Sequence, residues 1–229
     1  MKAIGQRRMV FVTGNDTGVG KTVLAAALTR RLRAHGVDAV ALKPLCSGGR
    51  NDARALQTAA DHALTLDEVN PWHFRAALAP KLAARLEKRR ISRREVAAHV
   101  RMIARRFQIT LVEGAGGLLS PLTEDGDNRD LLAALRPKAV IIVVPNRLGA
   151  VNQARLVLAA LPKIARRRSV VVLVEQRKPD AASRTNAASL AEFAAGISMV
   201  HLPWLAAGRL TFRAAAALDA LAAFTMADS

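Results

Sequence analysis

The residues best suited to chemistry fall in one run, Gly14-Asn15-Asp16-Thr17-Gly18-Val19-Gly20-Lys21-Thr22. Gly18 and Gly20 allow a tight backbone turn that brings amide hydrogens within reach of phosphate oxygens. A helix beginning at Lys21 aims its positive end at the same point. Lys21 supplies a mobile charge for outer phosphates, and the Thr22 hydroxyl can ligate magnesium. The usual pattern for such a loop is G-x-x-x-x-G-K-[ST]; here Asn15 stands at its first position and the glycine lies one residue earlier. Asparagine tolerates left-handed backbone angles better than most residues, so the departure is mild.

A magnesium ion bridging phosphates recruits one or two carboxylates besides the loop hydroxyl. Glu113 follows the apolar run Ile109-Thr110-Leu111-Val112 and precedes Gly114-Ala115-Gly116-Gly117, where a sheet-end metal ligand belongs. Asp52 opens a helical stretch. Acids there are stabilised by ~0.3–1 kcal/mol in any helix, and residue physics alone favours that plainer reading. Lys43 precedes Pro44, which disfavours helix before it and holds Lys43 extended at a strand end. It is either a lysine reaching past apolar surface to water or a second cation for a transferring phosphoryl group. Cys46-Ser47-Gly48-Gly49 beside it forms a flexible, hydroxyl-bearing loop.

The elements that must position these groups are strands apolar throughout, alternating with helices. Met9–Thr13, Ala39–Leu42, Ile109–Val112, Ala139–Val144, Val170–Val174 and Met199–Leu202 read as strands. Lys21–His35, Asn51–His62, Leu78–Lys88, a helix capped by Ser92 with Glu95, Asn152–Leu161 and Phe212–Phe224 read as helices. Gly36 stands where a helix-ending glycine belongs. That alternation predicts an α/β fold of the P-loop NTPase type: a mostly parallel sheet with helices on both faces, in a single domain. Residues 1–8 read as a basic tail and 9–229 as the domain. Every motif above falls at a strand's carboxyl end, the ligand-binding edge of such sheets.

Composition bounds the rest. A hydrophobic fraction of 51% over 229 residues suits one large globular core. One cysteine, Cys46, rules out an intrachain disulfide and fits a reducing cytoplasm. The first apolar stretch is shorter than the ~7–15 residues of a secretory signal, and nothing approaches the ~20 needed to cross a bilayer. Lys+Arg 35 against Asp+Glu 18 gives +17, much of it in Arg30-Arg31-Leu32-Arg33, Lys88-Arg89-Arg90, Arg93-Arg94, Arg105-Arg106 and Arg166-Arg167-Arg168. Solvated helix faces and loop ends account for such clusters. With 3% aromatics and no tyrosine, a base-stacking platform is poorly supplied. Any nucleic-acid contact is expected to be nonspecific, at low salt.

Together these pieces resemble the dethiobiotin synthase family. The likeness runs from about Val10 to Leu205 and is carried by Val12–Thr22, Lys43-Pro44 with Ser47-Gly48, Asn51-Asp52-Ala53 with Leu56-Gln57, and Val69-Asn70-Pro71. Val112–Gly117 with Pro121-Leu122, Leu148-Gly149 with Asn152, and Pro203-Trp204-Leu205 complete it. The family's loop also has the extra residue before its second glycine. The resemblance implies an ATP- and magnesium-dependent ligase. In that reaction one amine of 7,8-diaminopelargonate and carbon dioxide form a carbamate, ATP phosphorylates it, and the second amine closes a ureido ring.

By position, the resemblance makes Lys21 and Lys43 the catalytic cations and Thr22, Asp52 and Glu113 the magnesium ligands. ATP contacts fall on Gly18, Val19, Gly20, Lys21, Thr22, Val23, Asp52, Glu113, Gly114, Ala115, Gly116, Glu175, Gln176, Pro203, Trp204 and Leu205. Thr17, Lys43 and Ser47 face the substrate's nitrogen end. Leu148, Gly149 and Asn152 grip its carboxylate from a partner subunit, which implies a homodimer. Glu175-Gln176 replaces the family's common Asn-Asp; Gln176 can bond a base edge, whereas ionised Glu175 only accepts, which leaves base preference open. The rival reading is a nucleic-acid-associated or partitioning ATPase of the same superfamily. Such proteins carry a lysine near the loop's start, where this chain has Asn15 and Asp16.

Overall fold

The computed structural model describes residues 7–194, 196–205 and 210–227. The chain begins with β1 (Arg8–Gly14), α1 (Lys21–Ala34), β2 (Ala39–Leu42), β3 (Leu45–Ser47), α2 (Asn51–Ala59), α3 (Leu66–Val69) and β4 (Trp72–Phe74). There follow α4 (Pro80–Leu86), α5 (Arg93–Ala104), β5 (Ile109–Glu113), β6 (Pro121–Thr123), β7 (Gly126–Asp127) and α6 (Asn128–Leu135). Then come β8 (Ala139–Asn146), α7 (Ala150–Ala160), α8 (Lys163–Arg167), β9 (Ser169–Glu175), α9 (Asn186–Phe193), β10 (Ser198–Leu202) and α10 (Phe212–Met226). A short 3-10 turn, Ala181–Arg184, precedes α9.

The main sheet has the order β10-β9-β8-β1-β5-β2, and every pairing in it is parallel. From β1 the chain first runs outward through α1 to β2, then returns through β5 and crosses to β8. Right-handed crossovers therefore put α1 on one face and the helices of the opposite sweep on the other. Accordingly α1 packs with α2 and α10, while α5 meets α6 and α7 meets α9. Residues of β1 and β8 such as Phe11, Ile141 and Val144 are fully buried, as strands covered on both faces must be. β1 is the switch point, with β5 and β8 on its two sides. Register pairs Val12 with Glu113, and Val112 with Leu42, so Gly14, Glu113 and Lys43 line one edge.

The expected strands and helices are present, with shifted ends. The Ser92–Glu95 capping box forms as read, and α1 ends where Gly36 donates to the Arg33 carbonyl and Val37 to that of Leu32. α2 stops at Ala59 because Asp61 and His62 turn to positive φ. α4 waits for Pro80, a residue suited to a helix's first turn. Arg8, read as tail, already belongs to β1; residues 1–6 of the expected tail lie outside the described residues. The small ribbons β3–β4 and β6–β7, and helices α3, α6, α8 and α9, were not expected. None is longer than eight residues, too short for a clear period. No helix among the described residues is long and apolar enough to cross a membrane.

Candidate active site

The loop between β1 and α1 takes its shape from Gly18 at φ 72° and Gly20 at φ 98°, the latter serving as the N-cap of α1. Asn15 is not among the residues with positive φ, so its tolerance of left-handed angles goes unused. The glycine-rich turn after β5 lies directly against this loop. A side chain at Gly117 would bring its Cβ to 2.7 Å from the Asn15 carbonyl, and the Leu118 amide donates to Gly14 at 3.1 Å. Lys21 folds back over the loop, its ammonium donating to the Asp16 carbonyl at 2.5 Å. Burial pulls its pKa down to about 8, with Lys43 adding to the fall and Glu113 opposing it.

Beside Lys21, four side chains converge. The Lys43 ammonium touches Asp52, lies 2.8 Å from Glu113 Oε1 and reaches Thr22 Oγ1 at 3.5 Å. Thr22 in turn donates to Glu113 Oε1 at 2.7 Å. Lys43 and Glu113 are buried, at 7% and 1% exposure. Burial alone would lower the Lys43 pKa, but the Glu113 and Asp52 carboxylates outweigh it and raise it. Both groups singled out from the sequence with a plainer alternative, Lys43 and Asp52, are thus drawn into this cluster.

The donor set suits a magnesium ion. Glu113 Oε2 is buried with no hydrogen-bond partner, and Thr22 and Asp52 supply further hard oxygens around the same ammonium. Next to the cluster lies a cavity of about 350 Å³ lined by Thr17, Lys43, Ser47, Asp52 and Gly116 among others. All three residues expected at the substrate's nitrogen end line it. Ser47 donates to the Leu78 carbonyl at 2.5 Å. On the other side of Thr22 and Asp52, Val23 and Leu205 line a groove of about 780 Å³ along α1. Glu175 and Gln176 do not line that groove. Glu175 lies 3.6 Å from the His201 ring, and Gln176 donates to the Val174 carbonyl at 3.0 Å. Pro203, Trp204 and Leu205 follow the neighbouring strand, β10, with Trp204 half exposed.

Leu148, Gly149 and Asn152 are not brought to this cavity. Leu148 is 76% exposed, its amide donating to Asp180 at 2.7 Å, and Gly149 caps α7. Two asparagines had no assigned role. Asn70, fully buried, donates to the Lys43 carbonyl at 2.7 Å and accepts from Arg50 and Cys46, fixing the strand end that aims Lys43. Asn128 donates to the Ala115 and Gly117 carbonyls, both at 2.8 Å, clamping the turn beyond Glu113. The sequence signals were the Asn70-Pro71 pair and an Asp127–Asp130 capping box that places Asn128 first in α6.

Comparison with known proteins matches this architecture. A family model described as an AAA domain aligns over residues 8–207. The ATP-dependent dethiobiotin synthetase BioD of Anaeromyxobacter dehalogenans is 42% identical over 204 residues, covering 86% of this chain and 90% of that enzyme. Its namesake in Bacillus licheniformis is 41% identical over 151 residues, 64% of each chain. Among solved structures, the ParA family ATPase of Chlorobium tepidum shares the fold at a TM-score of 0.54 and 14% identity, covering 89% of this chain and 86% of that one. Likeness at that identity concerns architecture, whereas the likeness to the synthetases extends through the sequence of most of both proteins. The chain belongs to the ATP-dependent dethiobiotin synthetase family.

Proposed function

We propose that this chain closes the ureido ring of dethiobiotin from 7,8-diaminopelargonate, carbon dioxide and ATP. The observation that carries the reading is the shared carboxylate of Glu113. It joins the hydroxyl of the phosphate loop, Thr22, to the ammonium of Lys43, which faces the adjoining cavity. Phosphoryl donor and acceptor then meet between two cations.

One amine of the substrate attacks carbon dioxide and loses a proton, giving a carbamate. A carbamate oxygen takes the terminal phosphoryl group of ATP, releasing ADP. The second amine attacks the carbamoyl carbon, and phosphate leaves with a proton lost from nitrogen. Lys43, held as an ammonium by its carboxylates, stabilises the carbamate and the phosphoryl oxygens during transfer. Lys21, released from the Asp16 carbonyl, follows the charge of the terminal phosphate. The amides of Gly18, Val19 and Gly20 hold the phosphates, and Gly114, Ala115 and Gly116 close over them. Thr17 and Ser47 orient the amines.

Thr22, Asp52 and Glu113 would hold magnesium, which when bound neutralises phosphate charge. Val23, Pro203, Trp204 and Leu205 flank the base, with Gln176 and Glu175 at its edge. In a homodimer, Leu148, Gly149 and Asn152 of each subunit would hold the substrate carboxylate of the other. Exposed Leu119 and Leu156 beside a hollow of about 460 Å³, whose Asn15 Oδ1 and Gln153 Oε1 lack partners, support such a covering copy. The buried unpaired thiol of Cys46 fits a cytoplasmic setting.

Purified protein supplied with diaminopelargonate, bicarbonate, magnesium and ATP is expected to release phosphate only with the diamine present and to form a ureido product. Phosphate release stimulated by DNA instead would hand the chain to the partitioning ATPases. Relative rates with ATP, CTP and GTP test the base edge at Glu175 and Gln176.

A further inference from the structure

Two of the basic clusters that look scattered along the sequence, Arg105-Arg106 and Arg166-Arg167-Arg168, are gathered with Arg136 and Lys138 by the topology at one end of the sheet, opposite the active site. Each crossover helix on one face returns to the amino end of its strand, and the returning turns carry arginine. Arg105 lies between α5 and β5, Arg136 and Lys138 between α6 and β8, and Arg166, Arg167 and Arg168 between α7 and β9. Hydrogen bonds across the strand starts fix these turns side by side. Lys138 donates to the Met9 carbonyl at 2.9 Å, Val140 to that of Arg168 at 2.9 Å, and Arg8 to that of Gln108 at 2.8 Å.

None of those six side chains has an ion-pair or hydrogen-bond partner among the described residues. Two carboxylates of neighbouring segments are committed to other arginines: Glu68 is held by Arg106, and Asp38 lies 3.6 Å from Arg33. A basic residue at a helix end offsets the helix dipole, an effect that fades beyond the last turn. Here two or three stand in most turns, some beyond the helix, where the dipole effect has faded.

We propose that this edge binds the phosphate backbone of nucleic acid without reading sequence, in addition to the catalysis at the opposite edge. Strands spaced ~4.8 Å apart put β9 and β5 about 14 Å from each other. That length of B-form duplex carries roughly eight phosphates, comparable to the basic groups on offer. Guanidinium groups suit phosphate through paired donors. One exposed aromatic borders the edge among the described residues: Phe193 shares a hollow with Arg166, its ring faced by the Arg155 guanidinium at 4.8 Å. Phe107 is buried, and the exposed Trp204 and Phe212 follow the carboxyl end of β10. A single ring already faced by an arginine is a poor platform for successive single-stranded bases, whereas contacts to duplex phosphates need no ring at all.

The test is anisotropy of a fluorescent duplex of about 30 base pairs against salt, since each phosphate contact adds about 0.9 to the slope of log K on log salt. Arg105→Gln, Arg136→Gln and Arg167→Gln together are expected to weaken binding at about 50 mM salt at least tenfold and to flatten the slope by about 2 to 3. Lys88→Gln, Arg90→Gln and Arg94→Gln, an equal charge change elsewhere, should do less than half as much. Ring-closing activity of the edge triple should stay at the unmodified rate. Should that triple fail to fold, Arg167→Gln alone carries the test, with a slope change of about 1. Equal losses from both triples would overturn the proposal. So would no duplex binding by the unmodified protein at about 100 μM, or edge-dependent capture on phosphatidylglycerol vesicles without duplex binding.

Discussion

The two ends of one sheet handle positive charge in opposite ways. At the carboxyl ends, Lys43 is buried against Glu113 and Asp52, so that its charge is fixed in position and neutralised in the resting protein. At the amino ends, Arg105, Arg136 and Arg167 stand in water with no carboxylate engaged. The formal +17 counts both groups alike. What separates them is burial and pairing: a buried, paired cation is fixed in place, while an exposed, unpaired one is available to any polyanion. The comparison breaks first at Lys43. Lys43→Ala is expected to lower turnover ~10²–10³-fold, the range for removing a group that stabilises transition-state charge, with ATP affinity changed less than tenfold. Equal losses in rate and affinity would reduce Lys43 to a nucleotide-binding residue. The same change strips a buried carboxylate of its cation, at a cost of ~3–5 kcal/mol. Adding Glu113→Gln should restore most of that stability and none of the turnover.

Asn70 supports the carboxyl end from beneath. Asn70→Ala leaves the Lys43 carbonyl without its donor and takes one acceptor each from Cys46 and Arg50, and should cost ~1–3 kcal/mol by thermal or urea unfolding. If Asn70 aims Lys43, turnover falls about tenfold while ATP affinity holds. A loss of stability alone would make Asn70 a packing residue.

How far the site was legible in the sequence follows the same division. The phosphate loop was readable because its glycines, lysine and threonine are contiguous and their spacing is the mechanism. Glu113 was readable because an apolar strand ending in an acid before glycines has few other uses. For Lys43 and Asp52 the residues alone left plainer readings open, since the contact between them depends on where β2 lies beside β5. Asn70 and Asn128 act through backbone carbonyls distant in sequence, which no local pattern encodes. The strands were legible from unbroken apolar runs. Helix ends were less so, because positive φ at Asp61 and His62 and a proline at Pro80 decided them. The gathering of arginines at the amino edge could not be read at all without the strand order.

Lys21 gives a pH test of the carboxyl end. In the free protein its pKa is lowered to about 8 by burial, whereas that of Lys43 is raised by its carboxylates. Above pH 8 ATP must bring back the proton that Lys21 has lost. Affinity should therefore fall about tenfold between pH 7 and 9, equivalent to ~1.4 kcal/mol. Stability runs the other way. Between about 8 and the unfolded value near 10.5 the unfolded chain holds more protons, so the penalty for burying this ammonium is relieved as pH rises. Affinity flat across that range in a calorimetric titration would mean that Lys21 stays charged without its ligand.

The smallest effect is expected at the amino end. If the edge arginines served the fold, replacing Arg105, Arg136 and Arg167 by glutamine would destabilise it through lost partners; they have none among the described residues. What they lose is their share of the helix-dipole offset, while the chain sheds like-charge repulsion, and the two act in opposite directions. Each substitution should therefore fall within about ±0.5 kcal/mol, the ordinary surface range. Repulsion weakens with salt, so any gain should be larger in dilute buffer than at about 0.5 M. A loss above 2 kcal/mol at both salt levels would show that the edge is structural, and the contrast between the two ends of the sheet would collapse.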